Sequence, residues 1–199
     1  MTELTNASLA AEHCSTLLRL ARQAVEQAAA GRAGPSPRLE DFPEALRAPR
    51  ATFVTLTCHG GLRGCIGALQ ASIPLVEDVI EHARSAATED FRFPPVRPEE
   101  APEIEIEISI LSEPAPLVYR DAEDLMARLR PGIDGVILVS GLHRATFLPQ
   151  VWEKVPHASH FLDLLCEKAG LPPRAWRTAH PDILTYQVQS FHETAAADR

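Results

Sequence analysis

Leu62-Arg63-Gly64-Cys65-Ile66-Gly67 is the segment in which residue types and spacing point most directly to chemistry. A guanidinium, a thiol and two glycines fall within six residues, directly after the turn-like His59-Gly60-Gly61. A fixed cation beside a thiol favours the thiolate, the form that acts as nucleophile. Glycines beside it remove side-chain bulk and let a ligand approach strand backbone. The same residues have a plainer reading, in which Cys65 is an ordinary buried thiol and the glycines serve close packing of chains.

Other side chains extend the candidate site. Glu107 lies on the glutamate face of the run 103–107 and is placed to supply a carboxylate, although a charged, solvated strand face has the same pattern. Asp90 and Arg92 flank a helix end in a Pro-rich turn, where they order the loop or hold an anionic ligand. Thr146 is a polar exception in a stretch of core and turn. Cys58, His59 and Cys65, with His82 or His143, offer metal donors, but the two cysteines are spaced more widely than the usual two to four residues. Strand alternation also turns Cys58 and Cys65 to opposite faces, so no metal and no cofactor is assigned. Eight histidines are available, yet the sequence places none beside Cys65 as a general base.

These residues need a scaffold to aim them. Thr52–Cys58 and Leu62–Ala68 are β-rich runs that read as a hairpin. A two-residue turn at Gly60-Gly61 pairs Cys58 with Arg63 and mixes the arginine and Cys65 with Val54 and Leu56. A three-residue loop pairs Cys58 with Leu62. It puts Val54, Leu56, Cys58, Leu62 and Ile66 on one face, and Thr55, Thr57, Arg63, Cys65 and Gly67 on the other. Only the second register separates apolar from polar side chains, and it predicts that Arg63 and Cys65 share a face away from the core.

The remaining elements follow from periodicity. Residues 8–30 have helical spacing with Gly31 as the stop, and the prolines of 31–50 predict an irregular connector. Ser72 is the expected N-cap of a helix running to about Thr88. Glu103–Leu111 alternates as a half-buried strand. Asp121 to Leu129 reads as a short helix, Val136–Val139 and Arg144–Leu148 as strands, and Pro149–Val155 as a helical turn. A helix over Ser159–Ala169 and one strand over Leu184–Phe191, with Leu184, Tyr186 and Val188 facing in, complete the order. Two hairpins and few βαβ repeats predict an α+β protein rather than a doubly wound sheet. Residues 8–193 are expected to form a single domain and 194–199 a frayed tail.

Composition excludes several classes. The 199-residue chain is 45% apolar, ordinary for a globular protein, and its net charge of −8 argues against a general binder of nucleic acid or acidic membrane. No apolar run approaches the ~20 residues needed to span a bilayer. Met1-Thr2-Glu3-Leu4 has neither part of a secretory signal, which predicts a cytoplasmic protein. Four cysteines in a chain of this size do not form a disulfide framework.

Leu62–Gly67 resembles the hallmark of the AMMECR family, protein A of the prokaryotic AmmeMemoRadiSam system. The resemblance covers nearly the whole chain. It includes Pro74–Val79, Glu89-Asp90-Phe91-Arg92-Phe93-Pro94-Pro95, Ile106–Ser112, Arg144–Trp152 and Lys168-Ala169-Gly170-Leu171. It implies a two-lobed α+β fold, with antiparallel or mixed sheets flanked by helices and the motif near a cleft between the lobes. It also implies two partners: a Memo-like protein, related in fold to extradiol dioxygenases, and a radical SAM protein. Carried over by position, the site set is Arg63, Gly64, Cys65, Gly67, Asp90, Arg92, Glu107 and Thr146. Cys65 and Glu107 are the catalytic candidates, and the others contact an unidentified small molecule or peptide. The competing expectation is a non-catalytic module that binds a protein or modified peptide through the same motif.

Overall fold

Helix α1 (Ala11–Ala29) is the first helix among the described residues and buries Leu17, Leu20, Ala21, Ala24 and Val25 along one stripe. Gly31 ends it at φ +67, with the Gly31 and Arg32 N–H groups donating back to the Ala28 and Gln27 carbonyls. The computed structural model describes residues 8–193, so the expected tail at 194–199 lies outside the described residues. The chain divides into two units, one formed by the residues up to Leu111 with those from Gln189 onward, the other by Ser112–Val188.

In the first unit the proline-rich connector is irregular, as expected, but contains a short helix, α2 (Glu44–Arg47), whose Leu46 is buried. Strands β1 (Thr52–Cys58) and β2 (Gly61–Gly67) form the hairpin. Helix α3 (Leu75–Thr88) starts later than expected. Ser72 makes no cap; Pro74 occupies the N-cap position and the Leu75 N–H donates to the Ala48 carbonyl. Strand β3 (Ile104–Leu111) alternates as its sequence requires, with Ile104, Ile106, Ile108 and Ile110 buried. With β8 (Val188–His192) these strands form a sheet ordered β2-β1-β3-β8. Helices α1 and α3 join Val54, Leu56 and the β3 isoleucines in one core.

The second unit has its own sheet, ordered β4-β7-β5-β6, from β4 (Ala115–Pro116), β5 (Gly135–Ser140), β6 (His143–Phe147) and β7 (Asp182–Tyr186). Helices α4 (Ala122–Arg128), α5 (Val151–Lys154), α6 (Ala158–Lys168) and α7 (Ala175–Thr178) complete it. Trp152 stacks on Phe161 at a centroid distance of 3.7 Å in its core. Asp121 caps α4 as expected, its carboxylate accepting from the Glu123 and Asp124 N–H groups.

The final strand is two strands. Gln187 breaks the expected run, so that 182–186 pairs in the second sheet and 188–192 joins the first. Ile183, not Leu184, enters the second core. Elements β4 and α7 are too short to carry a period of their own. The fold is α+β, as the pattern of hairpins predicts.

Candidate functional site

The hairpin turn decides where the site residues point. The strands are joined by two residues, His59 and Gly60, both left-handed at φ 50 and φ 75, and Cys58 pairs with Gly61. Both central residues at positive φ match the twist of the flanking strands. This turn is one residue shorter than the expected three-residue loop, and it lies one position earlier than the two-residue alternative at Gly60-Gly61. The difference is absorbed between Leu56 and Thr57, where the register shifts and Arg63 is left as the extra residue of a β-bulge. Beyond the bulge Thr55 pairs with Cys65, and Leu56 pairs with Gly64. Cys65 is therefore on the predicted face, reached through a different turn.

The bulge changes its neighbours. Leu62 pairs with Thr57 instead of joining the core and is 46% exposed. Arg63 does not serve as the cation beside the thiol. Its Nε and Nη2 donate to the two carboxylate oxygens of Glu100, and Nη2 also reaches the Pro95 carbonyl at 3.3 Å. Those hydrogen bonds from Arg63 hold the Glu100 carboxyl below the usual carboxylate range.

Next to Cys65 the pair Asp90 and Arg92 takes over. Strand β2 is an edge of its sheet, and the Cys65 backbone faces outward there. The Asp90 carboxylate accepts the Cys65 N–H at 2.8 Å, and Arg92 Nη2 approaches the Cys65 carbonyl at 3.4 Å. Two side chains thus occupy positions that a neighbouring strand's backbone would fill, which protects the edge. Arg92 also donates through Nε and Nη2 to the Asp90 carboxylate, at 2.9 and 2.6 Å. These bonds, with the Cys65 and Arg92 N–H groups, hold the Asp90 carboxyl far below its ordinary range against the opposing effect of burial. Between them Phe91 is 96% exposed.

Glu107 joins by register. Thr55 pairs with Cys65 on one side and with Glu107 on the other, so Cys65, Thr55 and Glu107 form one cross-strand row. All three are half-buried, on the face away from α1 and α3. Thr55 Oγ1 donates to Cys65 Sγ at 3.4 Å. Among the described residues no histidine hydrogen-bonds Cys65 Sγ. Thr55 is the member of the row that was not singled out, although the expected register already placed it on the Cys65 face. Thr55→Val keeps the shape and removes that donor. Alkylation of Cys65, followed by mass spectrometry, is expected to slow by roughly threefold to tenfold, as fits loss of one weak hydrogen bond to a developing thiolate.

The glycines have packing roles. A Cβ on Gly64 would lie 2.2 Å from the Ala86 carbonyl oxygen of α3, and one on Gly67 would meet the Phe53 ring and the Thr52 carbonyl oxygen at 2.4 Å. Both open spaces are filled by the protein's own atoms.

Comparison with known proteins agrees with the fold. The AMMECR1 family model matches residues 18–191. The chain belongs to the AMMECR1 family. A protein of Methanothermobacter thermautotrophicus is 41% identical over 193 residues, covering 94% of this chain and 97% of the relative. A protein of Methanocaldococcus jannaschii is 36% identical over 192 residues, covering 93% and 92%. The crystal structure of an uncharacterized protein from Pyrococcus horikoshii matches with a TM-score of 0.82 at 32% identity, covering 95% of this chain and 94% of that one.

In this AMMECR1 chain seven of the eight expected site residues, Arg63, Gly64, Cys65, Gly67, Asp90, Arg92 and Glu107, belong to the first unit. Thr146 belongs to the second, where its hydroxyl donates to the Val136 carbonyl and bonds the Tyr186 hydroxyl at 2.9 Å. Burial drives the Tyr186 hydroxyl up to about 12, so it stays a neutral partner for Thr146. No helix among the described residues is long and apolar enough to cross a membrane.

Proposed function

We propose that this AMMECR1-family chain is a cysteine-dependent enzyme, or the substrate-handling subunit of one, that works with a Memo-like protein and a radical SAM protein. The observation that carries the reading is the cross-strand row Cys65–Thr55–Glu107, next to a cysteine whose backbone is held by Asp90 and Arg92. Cys65 Sγ is the reacting atom, as nucleophile or proton donor, and Thr55 Oγ1 supports charge that develops on it. Glu107 is the carboxylate of the same row and accepts or returns a proton through the row or a water. Arg92 is half-exposed while bound to Asp90, and it offers its outer edge to an anionic group. Arg63 contributes indirectly, by fixing the bulge to Glu100. The partners follow from the resemblance of the Leu62–Gly67 run and the segments around it, and the cytoplasm is the compartment that suits a reduced thiol.

The test is complementation of a deletion strain, read by untargeted metabolite profiling, with thiol labelling of the purified protein. Cys65→Ser is expected to leave the metabolite profile of the deletion unchanged, and iodoacetamide is expected to modify Cys65 in the native protein. A Cys65→Ala protein that restores the profile fully would overturn the reading.

One observation favours a second reading, a binding module without catalysis: the Cys65 thiol has a hydroxyl partner and, among the described residues, no hydrogen-bonded imidazole. Under it Cys65→Ala retains full function, and stable complexes form with the Memo-like and radical SAM proteins.

A further inference from the structure

The tip of the hairpin brings together three different donor types. Cys58 is the last residue of β1, His59 is the first residue of the turn, and Glu103 directly precedes Ile104, the β3 partner of Cys58. One donor atom from each, a thiol sulfur, an imidazole nitrogen and a carboxylate oxygen, lies within 4.8 Å of the other two. His59 Nε2 and Glu103 Oε2 are 3.1 Å apart. Cys58 packs at the margin of the core, whereas the His59 and Glu103 side chains are 77% and 57% exposed.

We propose that Cys58, His59 and Glu103 form a binding site for a zinc-class divalent transition metal. An exposed His–Glu pair is worth little by itself and does not require a thiol beside it. Sulfur, nitrogen and oxygen donors converging on one point match the borderline-soft preference of zinc, whereas calcium and magnesium take oxygen ligands. Tetrahedral zinc places such donors roughly 3.3–3.6 Å apart, which follows from metal–ligand bonds of about 2.0–2.3 Å. Closing from the present spread needs rotation of two exposed side chains, and the backbone stays in place. Binding displaces the Cys58 thiol proton to solvent, and three protein ligands leave a fourth position for water or for a donor from a partner.

Strand alternation takes Cys58 and Cys65 to opposite faces, so these two cysteines do not share a metal. That parity holds, but Glu103 supplies the third ligand in place of Cys65, from the position just before β3, 45 residues further on. The site is independent of the Cys65 chemistry, because Cys58 packs against the helix-covered core and Cys65 belongs to the opposite face. Failure of one proposal is therefore distinguishable from failure of the other.

Cobalt reports a thiolate ligand directly. The full chain, reduced, stripped with chelator and kept anaerobic, is titrated with Co2+. The expected result is one cobalt per chain, with an intense near-ultraviolet thiolate-to-cobalt band that Zn2+ removes. Cys58→Ser should abolish the band and Cys65→Ser should retain it. His59→Ala and Glu103→Gln should each weaken cobalt affinity by about tenfold or more, since loss of even an outer partner costs that much. A wild-type protein without the thiolate band overturns the proposal, whatever the variants do. So does a band that survives Cys58→Ser, or undiminished affinity in His59→Ala or Glu103→Gln.

Discussion

Gly64→Ala is expected to destabilise the first unit by about 3 kcal/mol or more, at the upper end of the range for overpacking a filled interior. The added Cβ would sit 2.2 Å from the Ala86 oxygen and 3.1 Å from its carbonyl carbon, and both are backbone atoms of α3. A flexible side chain at that point would swing aside at little cost. A helical carbonyl moves only if α3 lifts from the sheet, which opens the core around Val79, Ala83 and Ala86. For a chain of this length, a loss of 3 kcal/mol lowers Tm by roughly 6–12 °C. Gly141→Ala is the control. A Cβ there meets nothing within 4 Å, and only the left-handed φ of +60 opposes it, at about 1–2 kcal/mol. Thermal melting monitored by circular dichroism decides the matter: a Gly64→Ala Tm within about 3 °C of wild type refutes it, since that corresponds to roughly 1 kcal/mol. Because Gly64 precedes Cys65, the displacement should also change the rate of Cys65 alkylation.

Asp90→Ala is expected to be the second most damaging change, at about 2–4 kcal/mol. Its carboxylate is nearly inaccessible and accepts from Cys65 N, Arg92 N, Arg92 Nε and Arg92 Nη2. Leaving the Cys65 N–H without its acceptor costs about 1–3 kcal/mol. The lost attraction to Arg92 adds less than a fully buried pair would, because Arg92 is half-exposed and water takes up its charge. The pH dependence has a definite sign. Arg92 holds the Asp90 carboxyl below its ordinary value in the folded chain, so the stabilisation is complete above about pH 4 and is lost progressively as pH falls further. Asp90→Asn keeps an acceptor for Cys65 but has no charge to titrate, so this part of the acid-limb slope should vanish. Urea denaturation of the wild type and Asp90→Asn between pH 2 and 6 tests this, and parallel stability curves across that range would refute it.

The Asp90 and Arg92 interactions also bear on chemistry. In wild type the Cys65 N–H and carbonyl are both taken at the sheet edge. Without Asp90 the edge at Cys65 is open to pairing with another strand, and Arg92 loses the partner that aims it. The Asp90→Ala protein should therefore show altered alkylation at Cys65 under native conditions together with a greater tendency to associate.

Some of this molecule is local. The α1 stripe, the Gly31 stop, the Asp121 cap and the isoleucine alternation of β3 depend on residues within one or two turns or one strand of each other, so spacing alone determines them. The Cys65 face was legible for the same reason, since only one parity segregates Val54, Leu56 and Ile66 from Thr55 and Cys65. The path to that parity was not. His59 adopts a left-handed φ that a sequence reader reserves for glycine, and the β-bulge compensates by extruding Arg63. Likewise the continuous β-rich run at 184–191 conceals a change of sheet at Gln187, because strand propensity does not say which neighbour a strand will pair with.

The residues that complete the site come from further away. Asp90 meets Cys65 across 25 positions, Glu100 meets Arg63 across 37, and Glu107 enters the row only through the β1–β3 register. No periodicity links such positions, because each contact is set by how α3 lies on the hairpin and by which edge of β2 the following loop reaches. Residue alternation is enough to make Leu62–Gly67 an unusual strand carrying a thiol away from the core. The tertiary structure alone decided that the cation fixed at that thiol's backbone is Arg92, that the paired carboxylate is Asp90, and that Arg63 belongs to the bulge. The physical reason is that alternation constrains the direction of a side chain, while its partners depend on long-range packing that local pattern does not encode.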